Sequence, residues 1–253
     1  MDAGVVVAII TASVSLLIAI GNAWFTGQRE RRAREADRRA KAEERQASAK
    51  AELDLVREPL LAATLDLAHR LDNIRNDYFL DAYLSGRNDH RADIALTSTL
   101  YRFARYWGIV EDLYDRVALL RFREEEATRP VADSLRDLGR VFASDRYDGG
   151  RFMVWREEQR AVAELMRPTP TDSPLPCIGY ATFVARYESV FAHWFASFAE
   201  DLEAGAASRS RRLMTAQNQL ALLARELDRE EAYREQWKRL IVPEAEKHAS
   251  GSV

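Results

Sequence analysis

The chain has 253 residues, with 37 lysines and arginines against 40 aspartates and glutamates and a formal net charge of −3. A balance so close to neutral excludes the global basic excess of a nucleic-acid binder. A lone cysteine, Cys177, excludes an internal disulfide and any zinc site built on a cysteine pair. Few prolines and glycines, 7 and 11, and abundant Ala, Leu, Arg and Glu point to an all-α fold.

From Ala3 to Gln28 the chain carries no charged residue. A hydrocarbon core about 30 Å thick needs roughly 20 helical residues at about 1.5 Å each. The stretch therefore predicts a transmembrane anchor over residues 1–27, with Val5, Ile9, Val14, Leu17 and Ile20 in lipid. Trp24 and Phe25 fall where aromatic side chains favour the membrane–water interface. Arg29, Arg31, Arg32, Arg34, Arg38 and Arg39 follow at once. Positive charge is retained on the cytoplasmic side, so the expected topology is single-pass in the inner (plasma) membrane, amino terminus outside and body in the cytoplasm. A signal peptide is the competing reading, with Gly21-Asn22-Ala23 as a loose cleavage site, but no Lys or Arg precedes the apolar run. Gly4, Ala8, Ala12, Ser15 and Ala19 share one helical face. That face is either a pairing surface for two anchors or the ordinary recurrence of small residues in membrane helices.

Residues 28–58 predict a charged helical stalk. Glu30 with Arg34, Glu35 with Arg39 and Asp37 with Lys41 stand four apart in the favourable order. Ala33, Ala36, Ala40 and Ala47 trace a weak heptad seam, which leaves a coiled coil and a lone helix both open. The basic residues near its start either lie against lipid headgroups or form a solvated face.

Residues 59–242 predict an antiparallel helical bundle. Pro59 suits a first helical position, and Leu60, Thr64, Leu67, Leu71, Ile74 and Tyr78 after it form one apolar stripe. Thr64 fits that stripe if its hydroxyl bonds back to the helix. A turn over Ser85–Asp93 leads to Ile94–Phe122, apolar on nearly every side and hence central. A helix from Pro130 shows Val131, Leu135, Leu138 and Phe142; the next, from about Phe152, shows Trp155, Gln159, Val162 and Met166. Four of the seven prolines stiffen the connector between Arg167 and Cys177. A fifth helix places Tyr180, Phe183, Tyr187, Phe191, Trp194 and Phe198 on one face, and a sixth offers Leu213, Leu220, Leu223 and Leu227. Residues 243–253 read as a disordered tail.

The four histidines, His69, His90, His193 and His248, lack the Glu-x-x-His pairs of a di-iron bundle. No P-loop, HExxH, GxGxxG or GxSxG motif occurs. No catalytic residue, cofactor or metal is expected on these grounds. Cys177 is either a packing thiol or a nucleophile at the start of a helix. Arg102, Arg105, Glu111 and Asp112 interrupt the most apolar helix and are either paired or line a polar pocket, with Cys177 nearby. "SRSRR" at 208–212 is too short to argue a nucleic-acid site.

The segments "RLDNIRNDYFLDAYL", "STLYRFARYWGIVEDL", "EEQRAVAELM", "CIGYATF" and "HWFASF" resemble those of a group of bacterial single-pass, membrane-anchored all-α proteins to which no activity is assigned. The resemblance implies the same architecture and no active site. The functional expectation is a membrane-tethered cytoplasmic module that binds another protein as scaffold, sensor or regulator, with a homodimer through anchor and stalk as a further arrangement. A small-ligand-binding or enzymatic bundle, with Arg102, Arg105, Glu111 and Cys177 around an interhelical pocket, is the alternative. A structural organiser acting by self-association of anchor and stalk is the third.

Overall fold

The computed structural model describes residues 3–86, 89–116, 126, 128–168 and 176–242; for 3–23, 25–27, 29, 30 and 33 it describes the helical backbone alone. Every regular element among the described residues is a helix. In chain order these are α1 (Ala3–Asn76), α2 (Phe79–Leu84), α3 (His90–Arg116), α4 (Arg129–Ala143), α5 (Arg156–Leu165), α6 (Tyr180–Arg186), α7 (Ala192–Glu203), α8 (Arg211–Leu227) and α9 (Arg234–Leu240). A π-turn, Tyr187–Phe191, joins α6 to α7.

The chain divides into two compact units, 1–48 and 49–253. In the first, Arg31, Arg32, Arg34, Arg38 and Arg39 are exposed, and the expected pair Asp37–Lys41 forms at 2.8 Å. Trp24 is exposed. The anchor expectation rests on Val5, Ile9, Val14, Leu17, Ile20 and Phe25, whose side chains, like those of Arg29 and of the small-residue stripe, lie outside the described residues. Among the described residues no helix is long and apolar enough to cross a membrane.

The second unit begins burying side chains at Ala49 and Leu53. The stripe Leu60, Thr64, Leu67, Leu71 and Ile74 is wholly buried, as expected. Three readings need correction. Pro59 lies inside α1 and starts no helix. The carbonyl it cannot serve belongs to Leu55, on the exposed face, where water can take the missing donor's place. Tyr78 leaves the stripe: it adopts a left-handed backbone (φ 54°) between α1 and α2 and is exposed. The Thr64 hydroxyl is buried without a hydrogen-bond partner, whereas Thr99 donates to the Ala95 carbonyl at 2.7 Å.

Two pairs of cross-links set the direction of packing. Arg102 of α3 meets Asp66 of α1 and Ser98 meets Arg70, so α1 and α3 run antiparallel. Arg57 donates to the Leu227 carbonyl and Gln217 to Asp72, so α1 and α8 also run antiparallel. The turn before α3 ends sooner than expected. Asp89 accepts from the amides of Arg91 and Ala92 at 2.9 and 3.0 Å, capping a helix that starts at His90.

An interlocked set of rings fills the centre. Phe103 of α3 stands edge-on to Phe142 of α4 (5.4 Å) and Phe198 of α7 (4.9 Å), and Trp107 stacks on Phe195 (6.0 Å). Here the expected face of the fifth helix changes. At about 100° per residue, eight residues would carry Phe191 about 80° away from Phe183. The π-turn absorbs one residue and restores the alignment, so Phe183, Phe191, Phe195, Phe198 and Leu202 are buried together. Trp194 is displaced from the face by Phe195 and is only half-buried. Trp155 likewise precedes α5 as its exposed cap residue; Gln159, Val162 and Met166 are buried as expected. At 6 and 7 residues, α2 and α9 are too short to show a periodic apolar face in the sequence. The connector at 169–175 and the tail at 243–253 lie outside the described residues.

Candidate functional site

The charges of α3 do not converge. Arg102 and Arg105 both turn to Asp66, at 2.9 and 3.7 Å. Arg70 joins them from α1, giving one N–H to the Ser98 hydroxyl at 3.3 Å and lying 4.0 Å over the Phe79 ring. Burial, and then repulsion from Arg102, pulls its pKa down to about 10. This cluster is a seam between α1 and α3, where one carboxylate serves two guanidinium groups. Asp112 pairs with Arg116 one turn along the same helix, at 2.9 Å.

Glu111 points elsewhere. It is buried at 8 % exposure, and its Oε1 accepts from Nε and Nη2 of Arg160 at 3.3 and 3.2 Å. The pair sits at a cleft of about 350 Å³ between α3 and α5, lined by Trp107, Val110, Glu111, Tyr114, Arg156 and Arg160 among others. The α5 sequence "REEQR" explains the lining: Arg156 stands three and four residues before Gln159 and Arg160, and Ala163 four and three after them, spacings that gather them on one side of the helix. Gln159 anchors that face by donating to the carbonyls of Gly139 and Val154, at 3.3 and 2.8 Å.

Arg156 is held between elements. Its Nη2 donates to the Arg136 carbonyl at 2.9 Å, and its guanidinium lies so close to Gly139 that a Cβ there would sit 2.0 Å from Nη1. Burial depresses its pKa. No carboxylate pairs with it among the described residues.

Cys177 belongs to neither cluster. Its thiol is buried, approaches the Arg105 carbonyl at 3.8 Å, and lies where a Cβ on Gly108 would come within 2.7 Å of the sulfur. Gly108 in mid-helix thus allows the segment after the proline-rich connector to close on α3. Burial pushes the thiol up to about 12, which disfavours the nucleophilic thiolate. No group of three or more metal-ligating side chains forms among the described residues.

The most constrained polar residue was not singled out from sequence. Arg212, in "SRSRR", is fully buried and donates to the carbonyls of Arg151, Val141, Phe142 and Tyr147. Asp148 accepts from the amides of Arg211 and Arg212, both at 3.0 Å, and Ser210 caps α8 through the Leu213 amide. Asp148, Gly149 and Gly150 all take positive φ to make this loop. A basic run thereby becomes an internal clip, a role that only its long-range partners reveal.

The fold defines an all-α helical protein with a long amino-terminal helix and a ring-filled bundle. Comparison with family models, curated proteins and solved structures gives no match for this chain.

Proposed function

We propose that the protein is a single-pass, membrane-tethered helical module that holds its bundle on the cytoplasmic side and there binds another protein, as scaffold, sensor or regulator. The observation that carries this reading is the charge asymmetry at the amino terminus: no charge from Ala3 to Gln28, then six arginines between residues 29 and 39. Two features of the bundle favour interaction over catalysis. The α3 guanidinium groups of Arg102 and Arg105 are tied to Asp66 in the α1–α3 seam and do not face the cleft, and the one thiol is buried and held neutral. Anchor and stalk also offer a route to a homodimer.

The test is proximity labelling with the full-length chain against a version lacking residues 1–27. Protein partners labelled only by the tethered form support the reading. A full-length chain recovered free of membranes, one beginning at Trp24, or a carboxyl end cut by external protease on intact cells, defeats it.

A further inference from the structure

We propose that the cleft between α3 and α5 is a binding site for a small organic monocarboxylate with a flat apolar body. The cleft, about 350 Å³, lies within the ~300–1,000 Å³ range of small-molecule pockets. Its apolar wall is Trp107, Val110 and Ala163, enough surface for one ring or short chain. The charges around it fix the sign of the guest. Glu111 is taken by Arg160, and Asp115, across the same opening, is taken by Arg167. That leaves Arg156, whose one hydrogen bond among the described residues, to the Arg136 carbonyl, engages a single N–H of five.

A guanidinium removed partly from water and, among the described residues, without a paired carboxylate is costly, and a planar carboxylate matches its fork of donors. A single unmatched cation selects a monoanion over a phosphate dianion. A cationic guest is disfavoured because both carboxylates of the cleft already hold an arginine. Gly139 keeps the Arg156 guanidinium in place: any side chain there would drive it aside. The site is independent of the tether, since every residue in it belongs to the bundle.

The experiment is ligand-observed fluorine NMR on the full-length chain in mild detergent, with detergent alone as the blank. The probe is 4-(trifluoromethyl)benzoate, and 4-(trifluoromethyl)benzylamine is its cationic counterpart. Saturable one-site binding of the benzoate is expected, with little response from the amine. Val110→Trp, which fills the cleft, and Arg156→Gln, which removes the charge, should each weaken binding at least about tenfold. Arg156→Lys should retain part of it. Thermal melts of each variant establish folding, and if Arg156→Gln does not fold, Val110→Trp and the benzoate-over-amine preference decide. No saturable response, an amine response as strong as the benzoate's, or affinity untouched by Val110→Trp would overturn the proposal.

Discussion

Replacing Arg212 with methionine asks how much of the bundle depends on one clip. The side chain has no solvent exposure and reaches four carbonyls from α4 and the loop behind it. Two of these keep a backbone donor without it: Val154 serves Phe142, and Gly150 serves Tyr147, each at 3.0 Å. The loss therefore concentrates on Val141 and Arg151. An unpaired buried acceptor costs about 1–3 kcal/mol, and the Arg151 end, nearer solvent, lies at the low end of that range. Removing a desolvated cation returns part of the sum, leaving about 2–4 kcal/mol. Against a usual total of about 5–15 kcal/mol, that is a large share. Urea unfolding of the full chain in mild detergent should show the shift, and hydrogen exchange should show faster amides across 144–154. Arg212→Lys should do no better, because one ammonium cannot span four carbonyls. A methionine variant within about 0.5 kcal/mol of the parent, with unchanged exchange in that loop, would refute the clip.

Three further outcomes follow from single features. Thr64→Val keeps the shape of a buried side chain whose hydroxyl has no partner, so urea unfolding should show a gain of about 1 kcal/mol. Cys177 ionises at about 12 when folded against its ordinary 9.0, so the fold favours the neutral thiol. That contribution is whole below pH 9.0 and fades as pH climbs toward 12; Cys177→Ala should flatten the alkaline loss of stability, and iodoacetamide should label the parent only after unfolding. Deleting exposed Ser189 should turn the π-turn into regular helix and leave the melting temperature within a few degrees, whereas deleting exposed Ser197 rotates Phe198 and Leu202 about 100° off the core and should collapse the melt.

How much of this was legible in advance depended on the range of the forces involved. The stripe from Leu60 to Ile74, the apolar face of α4 and the leucines of α8 are periodic, and periodicity is local, so each is legible in the sequence. The end of a helix is decided by less. Tyr78 continues the period, yet the left-handed turn at that residue takes it out of the stripe, and no glycine or proline marks the place. The π-turn escaped for a related reason. Tyr187, Trp194 and Phe195 are all large and aromatic, so composition cannot say which of Trp194 and Phe195 enters the core. One extra residue in the turn decides it.

The polar residues show the same limit more sharply. That Arg102, Arg105 and Glu111 needed partners followed from their place in an apolar helix; which partners they take did not. Asp66 lies 36 residues before Arg102, and Arg160 lies 49 after Glu111. Helical spacing relates only residues three or four apart, so neither match can be read from one helix. The consequence for function is direct. The alternative pocket required four residues to share a wall, but two of them close the α1–α3 seam, Cys177 packs beside Gly108, and only Glu111 reaches a cleft. What distinguishes that cleft is supplied by α5, through Arg156, a residue that opens the charged run Arg156-Glu157-Glu158 and looks like surface in sequence. Arg156 ties α5 to α4 through the Arg136 carbonyl, yet this half-buried cation meets no carboxylate among the described residues, and that is the physical ground for expecting a guest there.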